Sequence, residues 1–291
     1  MSRRRPPHHR RQDGLGTVID MVASSFSSGR FWVRLRLAIC SFAVIYLIAP
    51  LIVVLIISFS SAPFLTFPPP GFSMQWYNNL FTNPAWFNSL VTSIKILIPT
   101  SILATVLGTA AAYGLARSSF VGKQLVMGLL LSPMIVPVII IAIGIFGVFR
   151  ALGLYGNLLG LIIAHTILAI PYVVMTVSGS LAVIDKRLED AALTLGASPL
   201  RCFRRITFPL IFPAVLSGML FSMVVSFDEL IVSMFISTPV VRPVTVQMWS
   251  NIRGSVDPTI AAIATLLFCF SLLALLSERA AARKVKKEVD E

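Results

Sequence analysis

The stretch SFDELIVSMFIS, Ser226 to Ser237, sets two carboxylates, Asp228 and Glu229, side by side in an otherwise apolar run. A carboxylate near the middle of a membrane helix costs about 2.5–3.5 kcal/mol on insertion scales. Two chemistries justify that cost: a fixed cationic partner, or a cation that passes. Lys95 and His165 are further polar groups inside apolar runs. Lys95 suits an ion pair with Asp228 or Glu229, a side chain snorkelling outwards, or a place on the same path. His165 suits an interhelical hydrogen bond or a ligand contact. If the span carrying the acidic pair starts near Pro213, Asp228 lies about 22 Å along it at 1.5 Å per residue. Lys95 and His165, about seven residues into their own spans, would meet it at one depth. Neighbouring helical residues point about 100° apart, so Asp228 and Glu229 are not expected to share one lumen.

The elements that hold these groups are membrane helices. Of the 291 residues 56% are hydrophobic and only 12% charged, about half the charged share of a soluble domain. The fold class expected is all-α, a polytopic membrane protein with six transmembrane helices, at 37–59, 89–116, 124–149, 158–184, 209–237 and 259–277, each near the 20 residues a bilayer needs. Asp257 and Pro258 read as the N-cap and first position of the last one. Pro133, Pro137 and Pro171 fall inside spans, where kinks rather than breaks are expected. The organisation is a basic tail over 1–36, the first span over 37–59, an external loop over 60–88, a core over 89–277 containing a loop at 185–208, and a tail over 278–291.

Lys and Arg set the orientation. Twenty lie in the N-terminal tail, the second and fourth loops and the C-terminal tail, against Arg150, Arg242 and Arg253 on the other side. Both termini are therefore expected in the cytoplasm. The net charge of +12 follows from this topology, and no nucleic-acid partner is expected. Three cysteines give no disulfide framework, and His8 and His9 lack the further ligands of a metal site. The 60–88 loop has no charged residue but holds Trp76, Tyr77, Trp86 and PPPG. It reads as an interfacial aromatic belt with a turn, or as a docking surface for an external partner.

The fourth loop, DKRLEDAALTLGASPLRCFRRITFP, has a local grammar. Residues 188–195 favour a helix, Gly196 can end it in a left-handed turn, and Pro199 can open a second short helix. There Arg201, Arg204 and Arg205 share one face and Leu200, Phe203 and Ile206 another. Ala191 and Ala192 leave room for another protein to approach. The loop resembles the cytoplasmic signature of ABC-importer permeases: Glu-Ala-Ala, three residues, Gly, nine residues, Ile-x-Leu-Pro. It reads Asp190-Ala191-Ala192, Gly196 and then Ile206-Thr207-Phe208-Pro209, with Asp at 190, Phe at 208 and Glu189 adjacent.

That resemblance implies a type I ABC importer permease fold and a coupling helix, formed around Glu189, Asp190, Ala191, Ala192, Gly196, Ile206 and Pro209, that docks on a separate ATPase. It implies a second permease subunit, an ATPase dimer that binds ATP and Mg, and a periplasmic or external substrate-binding protein. No G-x-x-x-x-G-K-[ST] phosphate loop occurs in the chain, so no cofactor and no enzyme activity are expected in this subunit. SFDELIVSMFIS, LSPMIVPVIIIAIG and VTVQMWSNIRGSVDPTIAAIATLL are most similar to second permeases of spermidine/putrescine importers. Asp228, Glu229, Lys95 and His165 then become candidates for the substrate path. Importers of opines, other amines, amino acids or phosphonate-like compounds share much of this texture. A stand-alone secondary transporter is the other class, and it has no use for an ATPase-docking elbow.

The charge asymmetry makes a direct prediction. Reporter fusions at Gly71 and at Ser198 are expected to report opposite sides of the membrane; the same side for both would overturn the topology.

Overall fold

The computed structural model describes residues 29–254 and 256–290. The basic tail expected over 1–36 lies outside the described residues as far as Ser28. The chain divides into two units at Val54–Leu55. Helix α1 (Gly29–Ser58) accounts for the described part of the first, and its side chains from 32 to 52 are exposed. A helix apolar all round suits lipid rather than water.

The second unit continues with α2 (Gln75–Thr82), α3 (Pro84–Arg117), α4 (Lys123–Ile135), α5 (Val138–Ala151) and α6 (Leu158–Val183). It proceeds through α7 (Arg187–Thr194), α8 (Pro199–Cys202), a π-helical turn (Phe203–Thr207) and α9 (Phe208–Asp228). It ends with α10 (Ile231–Ile236), α11 (Val244–Arg253) and α12 (Thr259–Asp290). Among the described residues strand pairing is limited to one antiparallel bridge, Ser60 with Phe72.

The six expected spans take three forms. Trp32–Ser58, Pro84–Arg117, Leu158–Val183 and Pro199–Asp228 are long, apolar helices. Lys123–Ile135 and Val138–Ala151 are one pair bent by 105°, and Thr259–Leu273 is the shorter apolar start of α12. Asp257 Oδ1 accepts from Thr259 N–H at 2.7 Å, which caps α12 as expected.

Three expectations need correction. Pro171 sits inside α6 without ending it, but at Pro137 the chain breaks rather than kinks. A proline forces its predecessor out of helical geometry, and Val136 is extended (φ −75°, ψ 132°). The span expected over 209–237 is likewise interrupted, because Glu229 is extended (φ −70°, ψ 111°) between α9 and α10. Trp86 is no belt residue. It is 2% exposed and packs with Leu80, Val244 and Ile263, which ties α2, α3, α11 and α12 together. The 60–88 loop folds on itself: Trp76 Nε1 donates to Ser60 O at 2.7 Å, and Tyr77 Oη lies 2.8 Å from Ser58 Oγ.

The centre is α3, α6 and α9, packed through small residues. Ala104, Ala112, Ala169, Val173, Val177 and Ile211 are buried together. A Cβ added at Gly108 would lie 2.7 Å from Val173 Cβ, and one at Gly218 3.2 Å from Val173 Cα. Lipid tails are as apolar as side chains, so close backbone approach rather than hydrophobicity holds such helices. A second cluster (Ile96, Ala142, Leu161, Val232, Ile236) joins α10 to α3, α5 and α6.

The substitution Gly108→Leu is expected to cost about 1–3 kcal/mol through overpacking and to lower the yield of folded protein extracted from membranes. Gly114→Leu is the control, since nothing lies within 4 Å of a Cβ there. Equal yields would show that the approach at Gly108 is not tight.

Candidate functional site: an elbow and an interrupted span

The elbow forms for local reasons. Asp185 Oδ1 accepts from Arg187 N–H at 2.9 Å and opens α7. Gly196 has φ +86°, the left-handed geometry that lets a helix end without a Cβ penalty. Around it Gly196 N–H donates to Leu193 O and Ala197 N–H to Ala192 O, both at 3.0 Å, the paired bonds of a Schellman stop. Ser198 Oγ accepts from Arg201 N–H at 3.4 Å, and Pro199 takes the first position of α8.

The second arm departs from the sequence expectation. It is no separate short helix: α8, the π turn and α9 follow without a gap. The π turn inserts one residue into the helical path and resets the faces. Phe203 meets Tyr113 edge-on at 4.8 Å, while Leu200 is 66% exposed.

One group fastens the elbow to the bundle. Glu189 is buried, and its carboxylate accepts two bonds from Arg117 at the end of α3: Nε to Oε2 and Nη2 to Oε1, both 2.9 Å. Thr207 Oγ1, from the π turn, donates to Oε1 at 2.8 Å. Burial works to raise the Glu189 carboxyl, but the hydrogen bonds from Arg117 and Thr207 and the Arg117 charge hold it below the ordinary carboxylate value. Cys202 is buried beneath and donates to Glu189 O at 3.8 Å. Asp190 and Ala191 are exposed, Ala192 and Ile206 half-buried, and Gly196 and Pro209 exposed. The exposed surface of the elbow includes Asp190, Ala191, Gly196, Pro209 and the leucines Leu193, Leu195 and Leu200, while Glu189 is buried.

The acidic pair separates as helical geometry requires. Asp228 ends α9 and is exposed beside a cleft of about 150 Å³ lined by Val224, Phe227, Leu267, Phe270 and Ser271. Glu229 is half-buried and works locally. Its Oε1 accepts from Val232 N–H at 2.7 Å, and its carbonyl accepts from Thr245 Oγ1 at 3.1 Å. Lys95 is exposed, and among the described residues it forms no ion pair with either carboxylate. His165 does not join an open surface with them. It is 2% exposed and hydrogen-bonded to Ser226 Oγ at 3.0 Å and Ser233 Oγ at 2.9 Å. Arg117, Thr207, Ser226, Ser233 and Thr245 complete these networks and carried no local signal in the sequence.

The elbow and the interrupted bundle belong to a helical subunit with several spans long and apolar enough to cross a membrane. Residues 104–287 match the family of the binding-protein-dependent transport system inner membrane component, and the chain belongs to that family of ABC-importer permease subunits. As such it is a transport subunit and not an enzyme. It is 32% identical to the spermidine/putrescine transport system permease protein PotC of Haemophilus influenzae over 256 residues, 88% of this chain and 98% of that one. It is 32% identical to PotC of Escherichia coli K12, over 83% of this chain and 91% of that one. The putrescine transport system permease protein PotI of the same strain is 31% identical, with 80% and 85% covered. The fold is similar to a chain of a bacterial ABC transporter involved in the import of alginate, with a TM-score of 0.67 at 16% identity, 89% of this chain and 97% of that one being aligned.

The Glu189–Arg117 pair generates a prediction. Removing one partner strands a largely buried charge, at a cost of about 3 kcal/mol. Glu189→Leu or Arg117→Leu is expected to loosen the elbow and lower ATPase-driven transport in the full importer. The double Leu variant is expected to recover stability relative to either single one. A carboxyl held low gives stability that is present above its unfolded value and lost as pH falls through the folded one. Elbow stability is therefore expected to be flat from about pH 6 to 8 and to fall only in acid. Thermal unfolding of the purified complex across pH checks both, and single variants as stable as the wild type would refute the anchor.

Proposed function

We propose that the chain forms half of the translocation path of an ATP-driven importer for polyamines such as spermidine and putrescine. The observation that carries this is the open Asp228 carboxylate at the C-terminal end of α9. It lies beside Phe227 and Phe270, in a chain that aligns along most of its length with permeases named for those amines. A polyammonium needs carboxylates for its charge and ring faces for cation–π contact. The end of a helix adds the negative pole of its dipole. Glu229 and Lys95 belong to the same proposed path, Glu229 by shaping the break beside Asp228 and Lys95 as an exposed cation on α3.

The proposed assembly pairs this subunit with a second permease and places an ATPase dimer, which binds ATP and Mg, against the elbow. A periplasmic substrate-binding protein delivers the amine. A chain in a solved alginate transporter with a periplasmic protein shares the fold, with a TM-score of 0.65. Glu189, Asp190, Ala191, Ala192, Gly196, Ile206 and Pro209 make up the proposed coupling element. Both termini lie in the cytoplasm in this reading, as the Lys and Arg distribution favours.

The substitutions Asp228→Asn and Glu229→Gln keep size and remove charge. Asp228→Asn is expected to lower spermidine uptake per assembled complex by about tenfold or more, the equivalent of roughly 1.4 kcal/mol, with a smaller loss for putrescine. Glu229→Gln keeps an acceptor for Val232 N–H and is expected to cost less. Unchanged uptake per complex in Asp228→Asn would sink the path assignment.

A further inference from the structure

The interruption between α9 and α10 has a clamp. His165, on α6, reaches one serine on each side of the break, Ser226 on α9 at 3.0 Å and Ser233 on α10 at 2.9 Å. All three side chains are buried, at 2%, 5% and 0% exposure. A neutral imidazole carries one donor and one acceptor, so one serine receives its N–H while the other donates O–H to it. The ring is thus fully used and has no free nitrogen for a ligand.

The break between the two serines holds the proposed path carboxylate and its supports. Asp228 closes α9, Glu229 caps the turn through Val232 N–H, and Leu230 leads into α10. Nothing about two short hydroxyl side chains fixes the angle between two helical segments. A planar ring held from a third helix does, because moving either segment breaks a hydrogen bond in an apolar surround.

We infer that His165 is a positioning residue for translocation: by tying both ends of the interrupted span to α6, it sets the direction in which Asp228 is presented to the path. This rests on Asp228 being a path carboxylate. The bond pattern itself does not depend on which substrate passes, and the test separates the two.

The experiment uses the full importer reconstituted with its partner subunits. In one arm, uptake of spermidine and putrescine is measured per assembled complex for His165→Phe, which fills the space without hydrogen bonds, and for His165→Gln, which keeps a donor and an acceptor. In the other, Asp228→Cys is placed in a chain whose Cys40, Cys202 and Cys269 are replaced by Ala. Its labelling rate with an ammonium-bearing methanethiosulfonate is compared with and without His165→Phe. The expected result is a loss of uptake of about tenfold in His165→Phe, a change in labelling rate of about threefold or more, and substantial recovery of uptake in His165→Gln. Ser226→Ala combined with Ser233→Ala is expected to reproduce the effect, and it replaces His165→Phe if that variant does not assemble. Non-additivity of His165→Phe with the serine pair is a further expected sign. Unchanged uptake, unchanged labelling, or a failure of His165→Gln to recover would each overturn the inference. A wild-type importer that takes up neither amine would remove the polyamine reading, and the labelling arm would still decide the clamp.

Discussion

A bilayer interior offers no hydrogen bonds to a free N–H or C=O, and the architecture answers that constraint wherever a helix stops. At Val136 the chain turns through 105° at a residue pair whose second member, Pro137, has no N–H to orphan. At Glu229 the break is closed by the residue's own carboxylate on Val232 N–H, by Thr245 on its carbonyl, and by His165 across the flanking serines. Irregular backbone at membrane depth is tolerated where it is buried in protein or lines a water-filled cavity. Here Glu229 and His165 satisfy the buried side while Asp228 lies on the open side.

The same logic, moved to the elbow, explains why two neighbouring acids do different work. Glu189 is turned in and held by Arg117 and Thr207, so α3, α7 and the π turn meet at one carboxylate. Asp190, one residue on, is exposed. The acidic pair at 228–229 repeats this division, one carboxylate outward and one engaged with backbone. In both places the inward acid shapes the segment that presents the outward one.

What the sequence made legible was local. The stop at Gly196, the start at Pro199 and the cap at Asp257 are each decided by a few adjacent residues, and composition alone marked the long apolar helices. The remainder is decided across the fold. The partner of Glu189 stands 72 residues away, and those of His165 stand 61 and 68 away. No periodicity in one segment records such pairings. The π turn (Phe203–Thr207) and the break at Glu229 were hidden because neither contains a proline or glycine to mark an interruption. Hydropathy tracks burial in lipid and does not register the loss of one backbone hydrogen bond. Trp86 was misplaced because a tryptophan in an external loop reads as interfacial, whereas Leu80, Val244 and Ile263 enclose it.

Helix α3 runs for 34 residues, roughly 50 Å at 1.5 Å per residue. Arg117 bonds Glu189 near one tip, and Trp86 is locked into a separate cluster near the other. Between them Gly108 is pressed against Val173, where a fulcrum would sit. The assembly is mechanically a lever. A tilt of about 5° around Gly108 moves the Arg117 end by roughly 1 Å and the Trp86 end by roughly 3 Å. That stroke is comparable to the helix shifts by which packed interfaces switch state.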